Sequence, residues 1–377
     1  MIINSIFVLD KFNHTMNITI VAGARPNFMK IAPIIRAIEK AKNEGKSVNY
    51  RLIYTGKEND PAIDASLFTD LDIKPPHAYL NVQSKYFVEL AAGILTSFDK
   101  ELIEYPTDVV LVVDDLTATM SCAIVAKKRG IKVAHLVAGT RSFDLNMPKE
   151  INRLITDGLS DYLFTAGSDA NRNLNQTGTS SANVFHVGNI LIDTIRYNRN
   201  RLKQPAWFDV LELKEKNYIL LTLNRHSLID NKENFKELID TILENNNGLP
   251  IIAPVRPYIE KRIEQLEIDN AKLHIMPSQN YLNFGYLVEN AKAIVTDSGN
   301  IAEEATFLGV PCISLNSYAE HPETWRMGTN ILVGEDAKQL KEALNKLHKE
   351  EWQEGSLPER WDGRTAERII QTLVEEH

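Results

Sequence analysis

Ala291-Lys-Ala-Ile-Val295, Thr296-Asp-Ser-Gly-Asn300 and Ile301-Ala-Glu-Glu-Ala-Thr-Phe-Leu308 form the stretch whose reading decides the fold. The first segment is short, apolar and β-branched enough to be a buried strand, and Ala302–Leu308 reads as the helix that follows it. Ser298 and Gly299 then fall at the turn, where the first helical N–H groups lack an intrahelical partner and the helix dipole is positive. Gly299 lets a ligand approach the backbone closely, so the turn suits a phosphate, and Asn300 continues it. Glu303 or Glu304, one turn further, lies within reach of ribose hydroxyls. On these residues alone an ordinary serine N-cap is the simpler reading. A second half of the same site has to be found elsewhere.

That half lies near the start. Asn17-Ile-Thr-Ile-Val-Ala22 is strand-like, Gly23-Ala-Arg-Pro-Asn27 makes a turn, and Phe28–Lys40 has helical spacing. A Gly-Arg turn at a helix start, with Lys30 in the first turn, offers two cations, Arg25 and Lys30, and free N–H groups to an anion. Lys30 opposes the helix dipole, which an anion nearby would offset; a solvated surface lysine is the alternative. Only Gly23 is a glycine between Ala22 and Lys30, so this is no dinucleotide fingerprint.

At 377 residues and 44% hydrophobic content the chain holds enough apolar side chains for two full cores. A net charge of −8 and a pI near 5.7 argue against nucleic acid as the default partner. Cys122 and Cys312 sit in separate apolar stretches with no metal spacing, which predicts buried thiols in a reduced, cytoplasmic protein. No apolar run reaches membrane-spanning length and no signal peptide is read. Residues 1–15 precede Met16-Asn-Ile-Thr-Ile20, itself a natural start, so they read as an extension outside the core, although Ile6-Phe-Val-Leu9 is apolar enough to pack.

Strand and helix signals alternate. Strands are predicted at Val48–Tyr54, Val109–Val113, Lys132–Val137, Tyr162–Thr165 and Val184–Val187, with helices at Tyr86–Leu102, Cys122–Arg129 and Glu150–Leu159. The pattern restarts at Tyr218–Leu223, with a helix from Asn231 to Asn245 and strands at Pro250–Pro254, Leu273–Ile275, Ala293–Thr296, Cys312–Leu315 and Ile331–Val333. Repeated βα units imply parallel sheets with sites at the strands' carboxyl ends. The expected architecture is α/β, with two Rossmann-like doubly wound domains facing a cleft. Residues 16–198 form the first and 199–365 the second, with a hinge near Leu191–Gln204 and a final helix, 366–377, crossing back to the first.

Taken in order, these motifs resemble the non-hydrolysing UDP-N-acetylglucosamine 2-epimerases from about Met16 onward. The blocks are Gly23–Pro33, Tyr54-Thr-Gly56, Val112-Val-Asp-Asp-Leu-Thr117, His135-Leu-Val-Ala-Gly-Thr-Arg141, Met147-Pro-Lys-Glu-Ile-Asn-Arg153, Val187-Gly-Asn189, Asp297–Ala305 and His321-Pro-Glu323. The resemblance implies a glycosyltransferase-B-like fold, a UDP-sugar in the cleft, and a homodimer working in cell-surface polysaccharide biosynthesis. It implies an isomerase that removes the C2 proton, expels UDP to give a glucal-like intermediate, and adds UDP back with the proton on the opposite face. Such chemistry needs proton-transfer groups on both faces of C2 and cations or N–H groups on the leaving pyrophosphate, with no metal or redox cofactor.

Residue by residue, the resemblance makes Arg25, Lys30, Ser298, Gly299, Asn300 and Glu304 the UDP-binding set, with Asn300 standing where a glycine is usual. It makes Asp115 the match to the family's first acid, and Asp114, Asp144, Glu150 and His226 are further candidate catalytic groups because each lies in a loop expected to face the cleft. It also marks departures: Val137 and Lys149 stand where the family has glutamates, Asn224 where it has a histidine, and Asn316 where an arginine is common. Lys57-Glu58 and Arg256 likewise depart from its allosteric substrate site. Three readings follow: an epimerase with shifted acid/base groups, a non-catalytic UDP-sugar-binding homologue, or a glycosyltransferase on the same fold. Without the resemblance, Asp115 reads equally as an N-cap of the following helix, Glu150 as a structural partner of Arg141 or Arg153, and His226 as a phosphate contact.

Overall fold

A computed structural model describes residues 14–268, 271–318 and 320–375. The apolar Ile6–Leu9 segment lies outside the described residues. The chain divides into two compact units, one drawing on the chain up to Thr194 and from Asp362 onward, the other on Ile195–Trp361.

The first unit is built on a parallel sheet of seven strands in the order β3-β2-β1-β4-β5-β6-β7. These are β1 (Met16–Ala22), β2 (Val48–Tyr54), β3 (Ala78–Tyr79), β4 (Val109–Val113), β5 (Lys132–Leu136), β6 (Tyr162–Thr165) and β7 (Val184–His186). The sequence of β4, Val-Val-Leu-Val-Val, has no alternation because both faces are covered, and all five residues are buried. Val110, Val112 and Val21 pack with Phe98 and Cys122 from the helices Phe87–Glu104 and Thr117–Lys128. The order reverses between β1 and β4, whose carboxyl ends deliver Gly23 and Asp114 side by side.

The second unit repeats the plan with six parallel strands, β10-β9-β8-β11-β12-β13. Here β8 is Ile219–Thr222, β9 Ile251–Val255, β10 Leu273–Pro277, β11 Ala293–Thr296, β12 Cys312–Ser314 and β13 Asn330–Leu332. Successive side chains of β8 feed opposite faces. Ile219 and Leu221 join Phe235, Leu238 and Leu344 on one side, and Leu220 joins Leu287, Ala302 and Ala305 on the other. The reversal lies between β8 and β11, where Thr222 and Thr296 are register partners.

Several boundaries moved for local reasons. The first helix spans Arg25–Asn43, so Arg25-Pro-Asn27, read as turn, is its first turn, where proline is tolerated. The strand predicted to Val137 stops at Leu136 because Val137 enters the left-handed region at φ 71°. The short helix Ala65–Leu71 carries no long apolar stripe; Asp64 caps it by accepting from Ser66 N–H. The terminal helix Thr365–Glu375 starts on Asp193, whose carboxylate accepts the Thr365 and Ala366 N–H groups at 3.2 and 2.8 Å. Both cysteines are buried and unpaired, and burial pushes both thiols up. Among the described residues no helix is long and apolar enough to cross a membrane.

Candidate active site

Each unit closes its switch point with an aspartate. In the first unit, Gly23 N–H and Ala24 N–H donate to Asn27 Oδ1 at 2.9 and 3.1 Å. The turn expected to offer bare N–H groups to an anion therefore satisfies them internally. Its glycine is required by packing instead: a Cβ on Gly23 would stand 2.7 Å from Ala118 Cβ. Asn27 Nδ2 donates to Asp114 Oδ2 at 2.8 Å, and Lys30 Nζ meets Asp114 Oδ1 at 2.5 Å with 6% of its side chain exposed. Lys30 is thus a buried ion-pair partner of Asp114, not a solvated lysine. Half-buried Arg25 reaches the Ala62 carbonyl at 3.4 Å.

Asp114 lies in the left-handed region at φ 59°, and its neighbour Asp115 turns to other partners. Asp115 Oδ2 accepts from Arg153 Nη2 at 2.6 Å, and Oδ1 lies 3.3 Å from Lys149 Nζ. Burial works to raise the Asp115 carboxyl, but the charges of Lys149, Arg153 and Lys30 outweigh it and hold the group below its ordinary value. Asp115 is a carboxylate fixed among cations. It is no N-cap: Leu116 holds that position, without a side-chain bond. Glu150, 1% exposed, accepts from Ser142 N–H (2.8 Å), Ser142 Oγ (3.0 Å), Phe143 N–H (3.3 Å) and Arg153 Nη1 (3.1 Å). Arg153 therefore joins Asp115 and Glu150, while Arg141 pairs with Asp157 at 2.6 Å. Asp144 folds back on Asn146 in an exposed turn.

In the second unit, Asp297 Oδ2 accepts the N–H groups of Asn224 and Arg225, both at 2.7 Å, joining the ends of β8 and β11. Burial raises its carboxyl while those N–H groups and the Arg225 charge lower it, and the net shift is upward. Ser298 is the N-cap of the helix Gly299–Leu308 but makes no side-chain cap bond, which removes the simple-cap reading. Gly299 lies under the Glu320 carboxylate, 3.3 Å from where its Cβ would stand. Glu304, 8% exposed, is pushed up to about 8 by burial and by the charge of Glu303, so its carboxyl is a hydrogen-bond donor at neutral pH. Exposed His226 stacks on Tyr258 at 4.7 Å, and the Tyr258 hydroxyl donates to the Asn224 carbonyl at 2.8 Å.

Of the residues predicted from sequence, Lys30, Asp115 and Glu150 gather at the first switch point, and Ser298, Gly299, Asn300 and Glu304 share one helix at the second. His226 belongs to the second unit. Missed were Asn27, Asp157 and the clamp role of Asp297. Asn27 and Asp297 stand inside quoted motifs; Asp157, four residues after Arg153 on the same helix, carried no signal of its own.

The sequence model of the family described as UDP-N-acetylglucosamine 2-epimerase matches residues 40–374. The UDP-N-acetylglucosamine 2-epimerase of Methanocaldococcus jannaschii is 36% identical over 374 residues, covering 95% of this chain and 99% of its own. A crystal structure of UDP-GlcNAc 2-epimerase from that organism, in complex with UDP-GlcNAc and UDP, matches with a TM-score of 0.84 at 34% identity, covering 96% and 100% of the two chains. The UDP-GlcNAc 2-epimerase from Neisseria meningitidis, bound to UDP-GlcNAc, matches at 27% identity with a TM-score of 0.85 over 96% of this chain and 100% of its own. On the family match and the Methanocaldococcus relative, the chain belongs to the UDP-N-acetylglucosamine 2-epimerase family and has its glycosyltransferase-B-like fold.

Proposed function

We propose that the chain binds UDP-N-acetylglucosamine and inverts it at C2 by eliminating and re-adding UDP. The carrying observation is Asp115: a buried carboxylate, fixed between Arg153 and Lys149 at a strand's carboxyl end, in the position the resemblance assigns to a proton-transfer acid. In this reading Asp115 takes the C2 proton. The C1–oxygen bond breaks with its electron pair leaving on UDP, and a C1=C2 double bond forms. UDP then re-forms the C1–oxygen bond while C2 takes a solvent-derived proton on the other face, and Asp115 returns its own proton to water, which gives the manno epimer.

The N-terminus of the helix Gly299–Leu308 offers the Gly299 and Asn300 N–H groups and the Ser298 hydroxyl to phosphate oxygens, the Ser298 N–H being held by Thr296 Oγ1 at 3.0 Å. The protonated Glu304 carboxyl serves a ribose hydroxyl. Half-buried Arg25 is the cation that meets a phosphate group, and Lys30, held on Asp114, adds its charge to the first switch point. Both oxygens of Glu150 already hold the Ser142–Phe143 backbone and Arg153, so its work is to fix that loop. His226 takes a phosphate contact or a proton. Tyr86, Phe87 and Val88, at the start of the helix Phe87–Glu104, are 57%, 65% and 81% exposed in one run, which supports pairing with a second copy of the chain. The two buried thiols fit a reduced cytoplasmic setting.

Proton NMR of UDP-N-acetylglucosamine incubated with the protein tests the activity, and calorimetry with UDP and AMP tests the nucleotide. The reading expects a second anomeric signal and binding of UDP in preference to AMP. Val137, apolar where the resemblance expects an acid, favours one second reading: a UDP-sugar binder without turnover. Tight UDP binding with no epimer would select it, and equal or absent binding of both nucleotides would remove both readings.

A further inference from the structure

We infer that His135 is a buried imidazolium that clamps the Asp114–Asp115 peptide and thereby positions the Asp115 carboxylate. The ring is 1% exposed. Its Nε2 lies 2.8 Å from the Asp114 carbonyl oxygen, and its Nδ1 lies 2.7 Å from Asp157 Oδ1. A carbonyl oxygen only accepts, so Nε2 carries a proton. Asp157 Oδ2 accepts from Arg141 Nη1 at 2.6 Å and from Gly139 N–H at 3.2 Å, and although burial works to raise the group, its contacts with His135 and Arg141 hold it below its ordinary value, as a carboxylate. A carboxylate also only accepts, so Nδ1 carries the second proton. Both ring nitrogens donate, and the ring is cationic.

Asp114 is gripped at both ends. Its N–H donates to the Leu136 carbonyl at 3.2 Å, and its carbonyl accepts from His135. This double hold from β5 fixes the residue at φ 59°, from which its side chain goes to Lys30 and Asn27 while Asp115 goes to Arg153 and Lys149. Adjacent acids are thereby sent to separate partners. The charged groups of this cluster are Asp157, Arg153, Glu150 and Lys149 on the helix Pro148–Leu159, Arg141 after β5, Asp114 and Asp115 after β4, and Lys30 on the helix Arg25–Asn43. His135 is a positioning residue, since its bonds reach Asp115 only through the backbone.

The direct test is long-range 1H–15N NMR of the histidine rings in the full chain, with His135 assigned from the spectrum of His135→Gln. The ring is expected to show two protonated nitrogens at pH 7, as two donors facing two acceptors require. A His135 ring that is a neutral tautomer at pH 7 in the unmodified chain overturns the inference. The NMR arm needs no catalysis, so it stands apart from the proposed epimerase reading, on which only the kinetic arm rests. There His135→Gln, whose amide can still donate to the Asp114 carbonyl, should retain more C2 proton exchange than His135→Ala. The alanine variant should lose about 10²-fold in kcat, the scale of a displacement of about 1 Å, with KM little changed. Equal rates for the two variants, or a change confined to KM, would contradict the positioning role.

Discussion

Glu304→Gln should stabilise the protein in a strongly pH-dependent way. The Glu304 carboxyl is buried beside Glu303, and burial first, then the Glu303 charge, pushes it from an ordinary value of 4.5 up to about 8. Its folded value lies above its unfolded one, so the folded state holds the proton more tightly. Below pH 4.5 both states are protonated and the group contributes no pH dependence. Between 4.5 and about 8 the unfolded chain ionises while the folded chain does not, and each pH unit costs about 1.4 kcal/mol of stability. Above about 8 both states are ionised and the penalty levels off at several kcal/mol. The neutral amide of the Glu304→Gln variant would carry no such penalty while keeping nearly the same shape. Thermal melts of both proteins from about pH 5 to 9 should coincide near the acid end and diverge towards the alkaline end, by roughly 5–15 °C for a unit of this size. Parallel Tm profiles across the whole range would refute the placement of a protonated acid at this position.

Other perturbations follow from the same geometry. Val137→Gly should cost less than an ordinary core truncation, or stabilise, because a β-branched residue at φ 71° stores roughly 1–3 kcal/mol that glycine does not; urea denaturation of the two proteins checks it. Arg153→Met removes the cation shared by Asp115 and Glu150 and should destabilise by about 3–5 kcal/mol, read from the same titrations. Asp193→Ala uncaps the terminal helix and should cost about 1 kcal/mol, with faster hydrogen exchange at Thr365 and Ala366.

The sequence was most legible where both faces of an element are buried. Tyr162–Thr165 and Ala293–Thr296 are apolar between polar breaks, and they occupy the strands expected of them. Helices with few apolar residues, such as Ser168–Gln176 with only Ala170 and Leu174, escaped because two positions do not establish a period. Clustered residues of the site were visible as motifs, but their partners were not. Asn27 was expected only as part of a turn, yet its amide joins Gly23 to Asp114, an apposition created by the β1–β4 crossover. His135 and Asp157 are 22 residues apart and meet only because the helix Pro148–Leu159 packs back on β5. Single-sequence periodicity carries no information on such pairings.

Whether Asp115 removes the C2 proton is best measured by mass spectrometry of UDP-N-acetylglucosamine recovered from deuterated water. Deuterium is expected at C2 in the presence of the protein, with loss of that incorporation in Asp115→Asn and UDP binding retained. Unlabelled substrate after prolonged incubation with a folded, UDP-binding protein would contradict it.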